Sequence, residues 1–198
     1  GPNGSSAAAH TTYAGHGGIP IGSLPRRLLF ALSLGSPQIL FSSDVNSASQ
    51  LLMVRDPRAR VAKVAPWLSL DGDVYPAVVN GRIEWVVDGY TSSSHYPDSQ
   101  LVNLHQATSS SLTPNGSPIA QSTSQVNYMR NSVKATVDAY TGKVTLYEWH
   151  ENQLRDPLLQ AWERVFPGLV KPQSDIPAAL LPHLRYPRDL FSVQRSLL

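Results

Sequence analysis

The residues best placed to do chemistry in this chain are acidic. Asp71-Gly72-Asp73 sets two carboxylates two residues apart, and Asp88-Gly89 can lie beside them if the intervening segment folds back. Paired carboxylates bind hard cations or serve as general acid and base. Asp71, Asp73 and His95 make the one grouping from which a hydrolase or a cation-binding domain could be built. The calcium-loop spacing is missing, however, and Asp-Gly is a standard turn former, so the turn reading is preferred. Tyr75-Pro76, Tyr96-Pro97 and Tyr186-Pro187 add aromatic-proline pairs. Such pairs can form sticky binding surfaces, while proline also presets the backbone for entry into a strand or helix. The binding candidates are thus Asp71, Asp73, Asp88, Tyr75 and Tyr96, with no catalytic residue assigned.

Other motifs fall short. Gly15-His16-Gly17-Gly18 has the look of an esterase oxyanion loop, but no Gly-x-Ser-x-Gly elbow accompanies it. The six histidines show neither His-x-x-x-His nor His-Glu-x-x-His spacing, and no cysteine exists to supply a thiolate, so no metal site is expected. Thr141-Gly142-Lys143 lacks the upstream glycine of a phosphate loop. No cofactor is implied.

Something must position the candidates. The chain has 198 residues, 41% hydrophobic and 15% charged, which is enough for a real core under a weakly charged surface. Sixteen basic against 14 acidic residues leave a charge of +2, too little for a phosphate-neutralising stripe, so no nucleic-acid partner is expected. The longest apolar run, Leu28 to Leu34, is broken by Ser33 and falls far short of the ~20 residues of a membrane span. Direct membrane insertion is therefore not expected. Residues 1–16 are Gly/Ala/Ser-rich, lack the features of a signal peptide, and read as a flexible lead-in.

Pro25 to Leu34 predicts a short helix, apolar on most sides and therefore buried. Asp56-Pro57 opens a second helix ending before Pro66, and Asp156-Pro157 a third, carrying Leu158, Leu159, Trp162 and Phe166. Asn80-Gly81 between two β-branched runs marks a hairpin over Tyr75 to Val87. A second hairpin runs from Val133 to Trp149 and turns at Thr141-Gly142. Between them, residues 99–129 hold no Asp, Glu, Lys or Arg, and a mobile loop is expected near 106–125. Short helices follow near Pro177–Leu184 and Pro187–Leu197. The last presents Leu190, Phe191, Gln194, Leu197 and Leu198 as one stripe, suited to docking on the core or to self-association. The fold class is α+β: an antiparallel sheet from the two hairpins, with helices packed on one face, in a single domain over 17–198.

Several segments carry a family resemblance. They are Gly17-Gly-Ile-Pro-Ile-Gly-Ser-Leu-Pro-Arg-Arg-Leu28, Arg55-Asp-Pro-Arg-Ala-Arg-Val-Ala-Lys-Val-Ala-Pro-Trp67 and Asp71-Gly-Asp-Val-Tyr-Pro-Ala-Val-Val-Asn-Gly-Arg82. Asp88-Gly-Tyr-Thr91, Asn127-Tyr-Met-Arg-Asn-Ser-Val-Lys-Ala-Thr-Val-Asp-Ala-Tyr140, Phe166-Pro-Gly168 and Leu184-Arg-Tyr-Pro-Arg-Asp-Leu-Phe191 continue it. In these the chain resembles uncharacterised protein family 0182, multi-spanning membrane proteins found chiefly in actinobacteria. The resemblance implies an interior piece of a large extracytoplasmic region in the cell envelope. Its partners would be other parts of the same protein or envelope proteins. It transfers no catalytic residues.

Overall fold

A computed structural model describes residues 18–34, 50–51, 55–108, 124–150 and 154–197. The chain divides into two compact units, residues 1–53 and 54–198, a boundary inside the span that the sequence suggests is one domain. The lead-in over 1–16 lies outside the described residues.

In the first unit, β1 (Ile19–Pro20) pairs antiparallel with β2 (Gln50–Leu51), and α1 spans Leu24–Leu34. The helix is where proline predicts it, but its described leucines do not show the expected burial. Leu24, Leu28 and Leu29 are exposed, and among the described residues of this unit only Ile21 and Ala31 are buried. An apolar composition buries a helix only where another surface meets it.

The second unit is built on a six-stranded sheet. Its elements run α2 (Pro57–Val64), β3 (Ser69–Leu70), β4 (Tyr75–Val79), β5 (Arg82–Ser93), β6 (Val102–Asn103), α3 (Leu104–Thr108), β7 (Gln125–Val126) and β8 (Tyr128–Asp138). They continue with β9 (Val144–Glu148), α4 (Pro157–Val165), β10 (Val170–Lys171) and α5 (Arg188–Ser196). Two 3-10 turns, Gln173–Asp175 and Leu181–His183, lie between β10 and α5. The order across the sheet is β10-β9-β8-β5-β3, with β4 also on β5, and every pairing is antiparallel except β10 on β9. Residues 106–108 of the expected loop close α3 and Gln125 opens β7, while 109–123 lie outside the described residues.

Local chemistry explains most of these elements. Asn80 and Gly81 both have positive φ, 50° and 76°, the geometry a type I′ turn demands. The second hairpin turns more widely than a two-residue loop, because Asp138 accepts from the amides of Tyr140 (2.9 Å) and Thr141 (2.6 Å). Asp56 caps α2 through the Arg58 amide at 2.9 Å, with proline in the first turn.

The two sheet faces differ. One buries Val87, Val133, Ala135, Val137 and Leu146 under Val61 of α2 and Leu159 of α4. The other packs Tyr75, Ala77, Val79, Val86 and Tyr147 against Ile176 and Leu180 of the segment after β10. Within α4 only Leu159 is buried; Trp162 and, just past the helix end, Phe166 stack on each other at its edge. In α5 the expected stripe is also turned. Asp189 and Val193 are buried, Phe191 and Leu197 are exposed, and Leu198 lies outside the described residues. Val193 packs with Leu104 and Val126. The rotation is set by polar contacts of Asp189, described below.

Candidate functional site

The candidate residues meet the structure at a register shift. Gly89 of β5 pairs with Val133 and Tyr90 with Asn131, so Ser132 is the extra residue of a β-bulge. The bulge sends the two neighbours to different partners: Asn131 donates to Asp88 (3.2 Å), and Ser132 donates to Asp156 (2.7 Å).

Asp88 sits opposite Lys134 in the sheet, and the two form an ion pair with side chains 2% and 0% exposed. Lys134 also donates to the Arg185 carbonyl at 2.8 Å and lies 5.3 Å from the centre of the Trp149 ring. Burial raises the Asp88 carboxyl, and Lys134 is the largest influence opposing it. The Asn131 side-chain oxygen is buried and has no hydrogen-bond partner among the described residues.

Asp71 lies alongside, its amide donating to the Asp88 carbonyl at 2.9 Å. Its carboxylate accepts from the Tyr90 hydroxyl, the Asp73 amide (2.7 Å) and the Asp189 amide (2.9 Å). Asp189 answers by accepting from the Gly72 amide at 3.1 Å. The bend after β3 and the first turn of α5 are thus clasped by two reciprocal carboxylates, which fixes the rotation of α5. Burial first, and the Asp189 carboxylate second, push Asp71 up to about 6. Burial and Asp71 hold the Tyr90 phenol far above its ordinary range.

Tyr75 belongs to the same layer. Its hydroxyl accepts from the Arg185 amide (3.1 Å), the Arg185 guanidinium lies 4.5 Å from its ring centre, and burial pushes its phenol up to about 12. Asp73 sits half-buried at the margin. The other candidates are elsewhere. Ser93 lies five residue steps along β5 from Asp88, roughly 16 Å at strand rise, and His95 lies exposed beyond it, its ring hydrogen-bonded to Ser94. Tyr96 is exposed and stacks on Tyr128 at 5.1 Å. The structure therefore gathers Asp71, Asp88 and Tyr75 but separates them from His95 and Tyr96.

A carboxyl near 6 has a proton affinity suited to acid–base work. Here its acceptor sites are engaged and it is 1% exposed, so the arrangement ties the residues from Arg185 to Asp189 onto the sheet. Among the described residues no three His, Asp or Glu side chains converge to hold a metal ion. Sequence reasoning missed Lys134, Tyr90, Asn131, Arg185 and Asp189. The available signal was Lys134 itself, a lone charge in the run Val133-Lys-Ala-Thr-Val137.

A second polar centre caps α4. Asp156 accepts from the Thr91 hydroxyl, Ser132, the Tyr128 hydroxyl (2.5 Å) and the amides of Leu158 and Leu159 (both 3.2 Å). Burial pushes its carboxyl up, but hydrogen bonds from Ser132, Thr91 and Tyr128 outweigh this and hold it below the usual range. Asp156→Ala should cost about 2 kcal/mol, the upper end for a lost cap, because it also strands buried hydroxyls. Urea unfolding measures this; a loss no larger than at an exposed cap would contradict the geometry.

Comparison with known proteins adds context. The sequence profile of the Uncharacterised protein family (UPF0182) matches residues 1–198. A UPF0182 protein of Frankia casuarinae is 54% identical over 199 residues, covering 100% of this chain and 19% of the relative. One of Bifidobacterium longum is 54% identical over 198 residues, covering 100% and 18%, and one of Arthrobacter is 53% identical over 187, covering 94% and 18%. The chain thus spans about a fifth of the length of these curated relatives. No solved structure matches it.

Proposed function

The chain belongs to uncharacterised protein family 0182, and we propose that it is an extracytoplasmic piece of a membrane-embedded envelope protein, acting in binding and assembly. Two features support this reading. Among the described residues no helix is long and apolar enough to cross a membrane. The chemically capable carboxylates Asp71 and Asp88 are buried and paired inward, while large apolar groups face outward.

The carrying observation is an aromatic shelf at the edge of the α2–α4 face. Trp67 stacks on Trp162 at 5.1 Å, and Trp162 on Phe166 at 6.0 Å. Trp162 is 36% and Phe166 43% exposed, and Val64 and Val165 are exposed too. Exposed aromatic surface of this kind is a recurrent anchor of interfaces. Its occupant is the rest of the same polypeptide, because about four-fifths of the matching relatives lies outside this chain.

Phe166→Glu tests the assignment. In the 198-residue chain alone it should cost about 1 kcal/mol or less, as an exposed position does. In the whole protein it should open this region to limited proteolysis. Wild-type protease resistance of the whole variant would overturn the reading. A dimer of the 198-residue chain that Phe166→Glu abolishes would also overturn it, assigning the shelf to a second copy.

A further inference from the structure

The face opposite α2 and α4 is only partly covered. Beside the segment that carries Leu180, a groove of about 320 Å³ opens over β5, β8 and β9. We propose that this groove binds a neutral polyhydroxylated ligand, a saccharide of one or two rings, through Arg82, Glu84, Thr136, Lys143 and Thr145.

The register makes the groove. Glu84 lies opposite Asp138, and Thr136 opposite Thr145, so carboxylate and hydroxyl groups form adjacent rows on one sheet face. Neighbouring strands are ~4.8 Å apart, which places these groups within reach of successive hydroxyls on one ring. Asp138 is already engaged. One of its oxygens takes Nε and Nη2 of Arg82 at 2.9 and 2.6 Å, and the other takes the Tyr140 and Thr141 amides. It acts as a positioning residue that orients Arg82. Glu84 is half-buried, with Arg82, Thr136 and Lys143 around it. The floor is apolar and buried, with Val79, Tyr147 and Leu180 able to meet the C–H face of a ring.

Charge selects the ligand class. Two cations and two carboxylates cancel around the groove. An anion such as phosphate would meet Glu84 and Asp138, and a simple ammonium would meet Arg82 and Lys143. An apolar molecule would strip water from Glu84, Arg82 and Lys143 and offer them no hydrogen bond beyond the one Thr136 already gives Glu84. Sugar hydroxyls donate and accept at once, and match carboxylate, threonine and cationic donors together. The volume sits at the small end of ligand pockets.

The test is a printed array of neutral mono- to tetrasaccharides probed with the labelled 198-residue chain, followed by calorimetry on the best glycan. At least one glycan should be retained, with affinity at least tenfold weaker in both Glu84→Gln and Thr145→Val. Lys143→Ala, at the exposed rim, is the second line should either variant melt early. No retained glycan, or affinity unchanged in these variants, would overturn the proposal. So would tighter binding of glycylglycine than of any glycan, which assigns the groove to a zwitterion.

Discussion

Lys134→Ala should destabilise the unit formed by residues 54–198 by about 3–5 kcal/mol, the cost of leaving a buried carboxylate without its counter-charge. Asp88 is 2% exposed and relies on Lys134, with Asn131 the other side-chain donor to it among the described residues. Loss of the ammonium also removes the donor to the Arg185 carbonyl and loosens the segment leading into α5. The charge is not needed for stability as such. Replacing both partners, with Lys134→Met and Asp88→Leu, should recover most of the loss, because a buried ion pair is often no better than its apolar isostere. Urea unfolding of the single and double variants measures both. A single-variant loss below about 1 kcal/mol would mean that the pair is not closed to water.

The second large effect is on pH. Asp71 is pushed from its usual 3.8 up to about 6 in the fold, so the folded chain holds that proton more tightly than the unfolded one. Its contribution is fully present below about 4 and is lost as pH rises through about 6. At 1.36 kcal/mol per unit, the difference amounts to about 3 kcal/mol. Asp189, Tyr90, Asp73, Asp88 and Lys134 are the ionisable groups around this clasp. Asp156 and Asp138 are held low and act oppositely, losing their contribution only as pH falls below the ordinary carboxylate range. The predicted signature is therefore a decline in stability as pH rises from 4 through 6 that Asp71→Asn makes smaller, the remainder coming from Asp88 and Glu84, whose carboxyls burial also raises. Parallel pH curves for wild type and Asp71→Asn would show that Asp71 is not the group responsible.

Legibility followed the range of the interaction. The Asn80-Gly81 turn and the Asp-Pro helix starts depend on neighbouring residues, and each stands where the sequence places it. The rotation of α5 depends on Asp189 meeting Gly72, 117 residues away, so helical periodicity alone selected Phe191 instead of Val193. The polar layer was hidden for a related reason. Lys134, Thr136 and Asp138 alternate with Val133, Ala135 and Val137, the pattern of a strand with one wet face. Only the return of residues 173–190 over that face buries Lys134 and leaves Asp138 at a groove. Asp71-Gly72-Asp73 does bend the chain, but it does so under the cover of α5.

The location of this region is the central claim, and the sequence offers a direct probe because it contains no cysteine. Tyr140 is 50% exposed at the tip of the second hairpin. Tyr140→Cys, introduced into the whole protein expressed in its host cells, supplies one reactive thiol in this region. Intact cells are treated with a membrane-impermeant maleimide, with the unsubstituted protein as the control. Labelling of the variant before lysis, above the control, is the predicted result. Labelling that appears only after the membrane is broken would place the region on the inner side and contradict the account.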